Sequence, residues 1–559
     1  MLHPKIQARI AAHADAALPV PQTLAQAFVD STRRYGQRLA IQPLNGSPLS
    51  YDALAEEVRR AVAVLQGLGL AVGDRIAICL PNDVGWSVFT YACALLGLCV
   101  VPVNLRYRPN ELAAVLQGSK ACTLVTQARF LTNDFLDRLQ TIAGGRLGGD
   151  EQADIATLPE MRHILLIDGT RHAGTVDYCA RSAAADVTKI DLPALAARRH
   201  GAEPMWMFWT SGSTSAPKGA LLPQSAIAIV WQWTLLAGYR PDDRVLTSRP
   251  LFYIAGHYWT MLGPMLRGAL SVVAAELTSA EMQRLCRQHG VTVLSGNPLM
   301  MKNLIEQPDF DREAFTRVRL GYFGGSSLTM QEMRVIRDAI GYEVLMQTYG
   351  MTELGGFATS TLPDDSIEVA YATCGYPFTG MEFRLLHAET DVDVPDGAVG
   401  VLLTRGQPLI DYVNLPAAER AKVFTDDGWF RTGDLARFCA DGRLEFCGRV
   451  KDLIKVGGEN VTAIEIETLL MRHPDVVLAV VVGVTDSARG EVPLAFVELR
   501  EGATADSVAF LAWCKGCMAP YKVPADLHWV GPGGWPMTAS GKIAKHELLR
   551  SGAARRNLV

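Results

Sequence analysis

The ten residues from Thr210 to Gly219, TSGSTSAPKG, combine hydroxyl side chains, two glycines and one lysine without any large side chain. In such a loop, backbone N–H groups can point at anionic oxygens, and serine and threonine hydroxyls can donate to the same oxygens. Lys218 adds a compact positive charge. The order is not that of a Walker A loop, because Pro217 stands where that loop has its second glycine and Lys218 precedes Gly219. The segment predicts a phosphate-binding loop of another kind, although surface loops of this composition are also common.

Other segments carry residue types that nucleotide chemistry requires. They are YGMTE at 349–353, RTGDLA at 431–436, GRVKDLIKVGGENVTAIEIE at 448–467 and PMTASGKIAK at 536–545. Each segment alone is weak evidence, and their combination and order matter more.

Composition limits the classes of function. A chain of 559 residues with 49% hydrophobic and 20% charged residues is expected to fold into about three or four compact units. The net charge is −5, and no run of lysine and arginine would hold nucleic acid or an anionic membrane. Small molecules are therefore the expected partners, with no nucleic acid, and a homodimer is left open.

No segment of the sequence indicates export or membrane insertion. The first twenty residues lack the continuous apolar run of a secretory signal. The uncharged span 87–103 is interrupted by Gly97 and Pro102, which predicts a helix followed by a buried strand and no integral membrane segment. The 11 scattered cysteines suit reduced thiols and predict the cytoplasm, and the lone Cys514–Cys517 pair is interpreted as structural.

The elements that must position these residues alternate between strand and helix. From Ser50 an amphipathic helix, an apolar strand, an apolar helix and a further strand follow one another, and the same rhythm returns after the phosphate loop. This pattern predicts two doubly wound blocks of parallel sheet covered by helices. After about Gly375 short strands with turns predict a small β unit, and from Gly448 a mixed pattern predicts a separate carboxy-terminal domain.

Together and in this order, the segments closely resemble the acyl-activating, AMP-forming adenylate superfamily, and most closely its free-standing acyl-CoA synthetases. The resemblance implies an α/β fold with a large N-terminal domain of two doubly wound parallel-sheet subdomains and a small β-barrel-like unit. A small, mobile α+β domain would follow. The implied boundaries are 1–447 for the ATP- and acid-binding domain, 448–452 for a hinge and 453–559 for the mobile domain.

The resemblance also implies a set of ATP-binding residues. Tyr349 would stack on adenine, Asp434 and Arg449 would hold the ribose, and Glu353 would bind Mg²⁺. The full set implied for ATP is Thr210, Ser211, Gly212, Ser213, Thr214, Lys218, Gly324, Gly325, Ser326, Tyr349, Gly350, Asp434 and Arg449.

By the same resemblance, Lys542, Thr352 and Glu353 are the catalytic residues, with Lys542 on the carboxylate and the α-phosphate. Rotation at Lys451 and Asp452 would remove Lys542 before the second half-reaction. Gly457 and Gly458 would border the CoA tunnel. The implied reaction converts a carboxylic acid and ATP into an acyl-adenylate and pyrophosphate, and then into acyl-CoA and AMP.

An aromatic acyl pocket is implied as well, formed by Trp231, Tyr253, Gly256, His257 and Trp259. The class of acid stays open among fatty, aromatic, alicyclic and polycyclic acids. The alternatives to a CoA ligase are a carrier-protein-loading enzyme and an inactive nucleotide-binding relative. The second alternative rests on three departures from the family pattern, Ser215, Tyr253 and Gln224, none of which removes a charge that the mechanism needs.

Overall fold

The computed structural model describes residues 3–210, 218–274, 278–296, 298–324, 330–378, 380–456, 459–486, 488–537 and 543–556. Within these ranges the chain forms two large sheets covered by helices, a small antiparallel sheet and a carboxy-terminal sheet. Among the described residues, no helix is both long and apolar enough to cross a membrane. The mixed α/β architecture predicted from the alternating pattern is confirmed.

The first large sheet has eight strands; in spatial order the first six run parallel, the seventh runs in the opposite direction, and the eighth pairs antiparallel with the seventh. In spatial order the strands are Val176–Asp177, His163–Leu166, Thr123–Thr126, Arg75–Cys79, Cys99–Pro102, Pro204–Thr210, Lys218–Pro223 and Asp411–Val413. Helices of this part of the chain are Pro4–Ala11, Leu24–Tyr35, Tyr51–Gly67, Val84–Leu96, Pro109–Ser119, Phe135–Ala143, Tyr178–Ala183 and Leu192–Ala196. Short hairpins form at Arg129–Phe130 with Asn133–Asp134 and at Gly148–Gly149 with Gln152–Ala153.

Local sequence explains these elements. The helix Tyr51–Gly67 begins where the Ser50 hydroxyl accepts a hydrogen bond from the Ala53 N–H, and it buries an apolar stripe against the sheet. The uncharged helix Val84–Leu96 ends at Gly97, whose φ of +71° lies in the left-handed region that favours glycine. The strand Cys99–Pro102 follows it and is fully buried. The prediction of a core helix and a buried strand in this span is confirmed.

The second large sheet combines distant parts of the chain. The strands Leu49–Ser50, Leu39–Gln42, Leu270–Val272 and Arg244–Leu246 lie side by side, and the first two come from the region before the first sheet. Isolated bridges through Val293 join them to the strands Leu320–Gly324, Val344–Tyr349, Thr359–Ser360 and Tyr376–Pro377. Its helices are Ile227–Leu236, Ile254–Gly256, Gly263–Arg267, Ser279–His289, Pro298–Ile305, Met330–Ile340 and Ile367–Ala372, with a π-helix at His257–Leu262.

The predicted small β unit is a four-stranded antiparallel sheet of Glu382–Leu386, Gly400–Arg405, Phe430–Phe438 and Leu444–Arg449, with one helix at Ala417–Val423. A single 3₁₀ turn, Val450–Asp452, connects it to the carboxy-terminal region. That region has the strands Leu453–Val456, Glu459–Thr462, Val476–Asp486, Gly490–Leu499 and Asp526–Trp529, and the helices Ala463–Leu470, Ser507–Cys517 and Lys545–Arg556. Its apolar side chains form cores distinct from those of the large sheets.

Candidate active site

Three of the predicted site residues lie at the carboxyl ends of parallel strands. Thr210 ends a parallel strand of the first sheet, whereas Gly324 and Tyr349 end two adjacent parallel strands of the second. Ligands of open α/β sheets bind outside the carboxyl ends of their strands. Each of these three positions is therefore at a strand end of the kind where ligands bind in open α/β sheets.

Tyr349, Asp434 and Arg449 form one group, held by a hydrogen bond and an ion pair. The Tyr349 hydroxyl donates to Asp434 Oδ2 at 2.6 Å, and Arg449 Nε lies 3.0 Å from Asp434 Oδ1. Asp434 and Arg449 are directly opposite each other on the antiparallel strands Phe430–Phe438 and Leu444–Arg449, so strand register fixes their contact. Three residues predicted for the nucleoside are thus adjacent in the structure.

Burial keeps the Tyr349 hydroxyl protonated. Asp434 is only 1% exposed, and Tyr349 packs beside the ring of Phe446 with ring centroids 6.3 Å apart. Burial and the neighbouring Asp434 charge raise the pKa of the Tyr349 hydroxyl well above its ordinary value. The tyrosine therefore keeps its proton and acts as a donor, while the outer part of Arg449 remains accessible, with 42% of its side chain exposed.

A second group connects the predicted phosphate lysine with the predicted metal ligand. Lys218 Nζ lies 5.9 Å from the centroid of the Tyr412 ring, and the Tyr412 hydroxyl donates to Glu353 Oε1 at 2.6 Å. The edge strand Asp411–Val413 pairs with Lys218–Pro223 and carries Tyr412 to this place. Thr210 lies opposite Lys218 in the adjacent ladder. Lys218 and Glu353 thus face the same tyrosine from two sides.

Glu353 is held in a 3₁₀ turn, Thr352–Leu354, that follows the strand of Tyr349. Its carboxyl group is buried, and desolvation raises its pKa, while the Tyr412 hydroxyl and the positive charge of Arg449 oppose that rise. Gly350 makes the turn fit, because a Cβ at that position would lie 2.3 Å from the Gly356 carbonyl oxygen. Thr352 is partly exposed beside the carboxylate.

An aromatic cluster adjoins Gly324. Trp259 and Trp233 both stack on Phe357, with ring centroids 4.9 Å and 4.8 Å away, and the edge of Tyr322 closes the group. A Cβ at Gly324 would lie 3.9 Å from the Trp259 ring. We call these four rings, Trp233, Trp259, Tyr322 and Phe357, the ring cluster. The predicted pocket residue Trp259 therefore borders Gly324, which is predicted to bind ATP.

His257 differs from the expectation that it lines the acyl pocket. Trp206 Nε1 donates to His257 Nε2 at 3.1 Å, and His257 Nδ1 lies 3.2 Å from the Leu251 carbonyl oxygen, so both ring nitrogens are satisfied inside the core. The ring is fully buried, and desolvation lowers its pKa to about 3. Gly256 has a packing role, since a Cβ there would lie 2.2 Å from the Pro250 carbonyl oxygen. His257 is thus a neutral core residue.

Trp231 also lies elsewhere. Its ring packs 3.8 Å from the guanidinium of Arg267, which is in turn paired with Asp15 at 3.2 Å. Trp233, two residues further along the helix Ile227–Leu236, belongs to the ring cluster. Residues two positions apart on a helix point in nearly opposite directions, at about 200°. Trp233, rather than the predicted pocket residue Trp231, therefore belongs to the ring cluster.

Two further positions that depart from the family pattern have clear surroundings. Tyr253 is half-buried, and its hydroxyl accepts a long 3.5 Å contact from the Asn104 amide. Burial raises its pKa to about 12. Gln224 is fully buried and joins two backbone segments, since its amide donates to the Ala94 carbonyl and accepts from the Ala25 N–H. Gln224 therefore has a role in the fold.

The predicted hinge is a short connection. Lys451 is exposed in the turn Val450–Asp452, while Asp452 lies 3.9 Å from Lys545 in the last helix. Lys545 is also 2.8 Å from Glu467. The Cys514–Cys517 pair lies on one helix, with Cys514 buried and both thiols free. Several predicted residues lie outside the described ranges, namely Ser211, Gly212, Ser213, Thr214, Ser215, Gly325, Ser326, Gly457, Gly458 and Lys542.

Sequence reasoning missed Tyr412, Phe446 and Phe357, which contact Glu353, Tyr349 and the tryptophans. Tyr412 belongs to a three-residue edge strand that comes nearly two hundred residues after its partner strand. Local pattern holds no signal for such a pairing. These residues could be found only once the sheets were assembled.

The described fold, two large sheets covered by helices followed by a smaller carboxy-terminal unit, matches that of adenylate-forming enzymes. The chain belongs to the AMP-binding enzyme family, whose model matches residues 28–411, and the model of the AMP-binding enzyme C-terminal domain matches residues 465–542.

Relatives agree with this assignment. The chain is 30% identical to the 3-[(3aS,4S,7aS)-7a-methyl-1,5-dioxo-octahydro-1H-inden-4-yl]propanoyl:CoA ligase of Mycobacterium tuberculosis, with 89% of this chain and 93% of that protein covered. It is 28% identical to the mitochondrial medium-chain acyl-CoA ligase ACSF2 of Mus musculus, with 96% and 89% covered. The crystal structure of the anthranilate CoA ligase AuaEII in complex with anthranoyl-AMP superposes with a TM-score of 0.83 at 23% identity, covering 97% of this chain and 99% of that chain.

The protein is accordingly an AMP-forming acid:CoA ligase, which activates a carboxylic acid with ATP to an acyl-adenylate and then transfers the acyl group to CoA. ATP, CoA and a small carboxylic acid are its substrates. This outcome favours the CoA ligase over the carrier-loading and inactive alternatives. Cytoplasmic localisation and a homodimer stay predictions.

Proposed function

We propose that this ligase activates a compact, ring-bearing carboxylic acid, which binds against the ring cluster. The observation that carries the proposal is the stack of Trp233, Phe357 and Trp259 beside Gly324, where the acyl group would lie. Trp259, which is 5% exposed, would contact the acid, while Trp233, Tyr322 and Phe357 are fully buried behind it and would hold it in place. A rigid wall of rings suits a flat ligand, whereas a long alkyl chain needs an open channel. Tyr253 would border the same pocket.

For ATP, we assign the nucleoside to the group around Asp434. The Tyr349 ring would stack on adenine, and the Asp434 carboxylate would accept hydrogen bonds from the ribose hydroxyls. Arg449 would keep that carboxylate in place from the solvent side. Thr210 and Lys218, with Ser211, Gly212, Ser213 and Thr214, would hold the β- and γ-phosphates.

Mg²⁺ fits at Glu353. Among the described residues no group of three or more histidine, cysteine, aspartate or glutamate side chains could hold a metal. Mg²⁺ at nucleotide sites needs only one or two carboxylates, because phosphate oxygens and water complete its octahedron. Glu353 supplies one such carboxylate, and the Tyr412 hydroxyl orients it. Bound there, the ion would neutralise charge on the phosphates.

The carboxy-terminal unit would supply the transition-state cation. Lys542 is assigned to the acyl carboxylate and the α-phosphate, where it would stabilise charge that develops as the P–O bond to pyrophosphate breaks. We propose a division into residues 1–447 and 453–559 with a hinge at 448–452, which the separate core of the carboxy-terminal unit supports. Movement at Lys451 and Asp452 would then open the way for CoA past Gly457 and Gly458.

Asp434→Asn should raise the KM for ATP by about 10- to 100-fold, because hydrogen bonds to a charged acceptor contribute about 1.5–3 kcal/mol. Pyrophosphate release at varied ATP measures this. Asp393→Asn is the matched control, since Asp393 lies in the same β unit and pairs with Arg384 at the surface. An unchanged KM for ATP in Asp434→Asn would contradict the ribose assignment.

The substrate class is tested with an acid panel. Pyrophosphate release and thioester formation are measured with benzoate, cyclohexanecarboxylate, hexanoate and decanoate. We expect kcat/KM to be at least about 10-fold higher for the better ring acid than for either straight-chain acid, which corresponds to about 1.4 kcal/mol. A preference for decanoate would contradict the compact pocket.

Phe357→Leu should reduce the ratio of kcat/KM for ring acids to kcat/KM for straight-chain acids. The substitution removes the ring on which both tryptophans stack. Phe438→Leu, in the small β unit, is a control for the loss of an aromatic side chain. If both variants change the acid preference equally, the ring cluster does not select the acid.

A further inference from the structure

Arg249 is a cation placed on the ring cluster. Its guanidinium carbon lies 4.9 Å from the centroid of the Trp259 ring. One terminal nitrogen donates to the Gly296 carbonyl oxygen at 2.5 Å. The residue belongs to the connection between the strand Arg244–Leu246 and the helix Ile254–Gly256. It is only partly accessible, and burial lowers its pKa to about 10, so it still carries a positive charge at neutral pH.

The other enclosed arginines of this subdomain are paired with acids. Arg267 lies 3.2 Å from Asp15, and Arg319 forms an ion pair with Asp243 at 2.5 Å. Arg249 differs, because within the described ranges it makes no ion pair and its Nε has no hydrogen-bond partner. A buried charge without a counter-ion is costly, and such groups in proteins are normally paired.

A second donor near Arg249 is also without an acceptor. Trp259 Nε1 is buried and has no hydrogen-bond partner among the residues that the structure describes. The indole that carries it lies between Arg249 and the Gly324 strand end. Both donors therefore belong to the wall against which the acyl group is proposed to lie. A ligand that reaches this wall would satisfy them with acceptor oxygens.

We propose that Arg249 determines substrate specificity by binding a second carboxylate of the acid, at the end away from the carboxylate that is activated. This rests on the proposed function, since it assumes that the acyl group lies against the ring cluster. A guanidinium can bind a carboxylate through two parallel N–H···O bonds and fixes its orientation as well as its charge. The substrate class is thus a ring-bearing dicarboxylic acid.

The charge of Arg249 explains why it would discriminate strongly between a diacid and a monocarboxylic acid of the same shape. A monocarboxylic acid of the same shape would displace water from Arg249 without giving it a counter-ion. Sites built for a polar group reject analogues that lack it by far more than sites that sense only size. Wild-type enzyme should therefore prefer the diacid by about 100-fold or more in kcat/KM.

The test uses two matched pairs of acids, terephthalate with benzoate and trans-1,4-cyclohexanedicarboxylate with cyclohexanecarboxylate. Pyrophosphate release is measured for wild type, Arg249→Met, Arg249→Lys and the control Arg244→Met. Arg244 is an exposed arginine on the preceding strand. Arg249→Met should lose about 100-fold on the better diacid and keep or gain activity on its monoacid partner. Arg249→Lys should retain an intermediate preference.

The outcomes separate this inference from the proposed function. Turnover of monoacids alone by wild type, or an equal loss on both acids in Arg249→Met, would overturn the role of Arg249 while leaving the ring pocket intact. Preference for decanoate over every ring acid would overturn the ring pocket itself. Binding of the diacids is also followed by quenching of tryptophan fluorescence in the absence of turnover. Equal binding of diacid and monoacid by wild type would overturn the inference even if no acid is turned over.

Discussion

Glu353→Gln is expected to lower kcat/KM for ATP by at least about 100-fold, because the amide removes the charge proposed to hold Mg²⁺ against the phosphates. The substitution keeps the shape of the side chain, and its amide oxygen can still accept from the Tyr412 hydroxyl, whose bond is 2.6 Å in the structure. Folding should therefore change little. Pyrophosphate release over a range of Mg²⁺ concentrations measures the effect, and the variant should need more Mg²⁺ for half-maximal rate.

A variant of Tyr412 separates the effect of the Glu353 charge from the effect of its orientation. Tyr412→Phe removes the donor that orients Glu353 but leaves its charge, so about a 10-fold loss is expected, as for other residues that support a metal ligand. Glu382→Gln is the control, since Glu382 is an exposed carboxylate paired with Arg405 in the small β unit. If Glu353→Gln left the Mg²⁺ dependence unchanged, the carboxylate would not be the metal ligand.

Protonation of Glu353 should determine how kcat/KM for ATP decreases at low pH. Desolvation raises the pKa of Glu353 above its ordinary value, so in the free enzyme the group becomes protonated at a higher pH than a solvated glutamate does. The ionised form is the one that binds a cation, and activity should fall as pH decreases through that raised pKa. Glu353→Gln, which does not titrate, should lack this limb in kcat/KM for ATP.

The sequence predicted elements well where the information was local. The helix Tyr51–Gly67 and the pair formed by Val84–Leu96 and Cys99–Pro102 follow from an apolar stripe, a serine cap and a glycine with positive φ. It did not predict that the strand Leu39–Gln42, near the start of the chain, would pair with Leu270–Val272. Pairing over that separation depends on the assembled core and leaves no periodic signal in either strand.

The site also combines residues predicted from local sequence with contacts that depend on the assembled fold. Motifs identified Tyr349, Asp434 and Arg449, and the register of two adjacent strands then brought Asp434 and Arg449 together. For His257 the structure adds what motif position does not give, namely that both ring nitrogens have partners within the core. A family pattern predicts which residue stands at a position, whereas the hydrogen-bond partners decide whether that residue is available to a ligand.

Arg249 illustrates what neither motif nor periodicity can supply. In the sequence it is one arginine beside a proline in SRPLF. Within the described ranges it differs from Arg267 and Arg319, which have acidic partners in the structure. A charge without a counter-ion becomes visible only when all neighbouring elements are in place, so the proposed role of Arg249 in specificity could be argued only from the structure.

Lys542→Ala is expected to lower the rate of adenylation by about 100- to 1,000-fold, the range seen when one group that stabilises transition-state charge is removed. The loss should be confined to this step, because the carboxy-terminal unit is proposed to turn at the hinge, residues 448–452, and to withdraw the lysine before CoA attacks. A chemically synthesised acyl-adenylate should therefore react with CoA at nearly the wild-type rate in the variant. Adenylation is measured by pyrophosphate release, and the second step by thioester formation from the synthetic adenylate.

Lys515→Ala is the matched control, since Lys515 is an exposed lysine of the same unit on the helix Ser507–Cys517. It should leave both half-reactions unchanged. If Lys542→Ala slowed both half-reactions equally, one arrangement of the two units would serve the whole reaction, and the hinge proposal would be wrong. If it slowed only the second, the lysine would act on CoA transfer. Only a selective loss of adenylation agrees with a cation that is present for the first step and absent from the second.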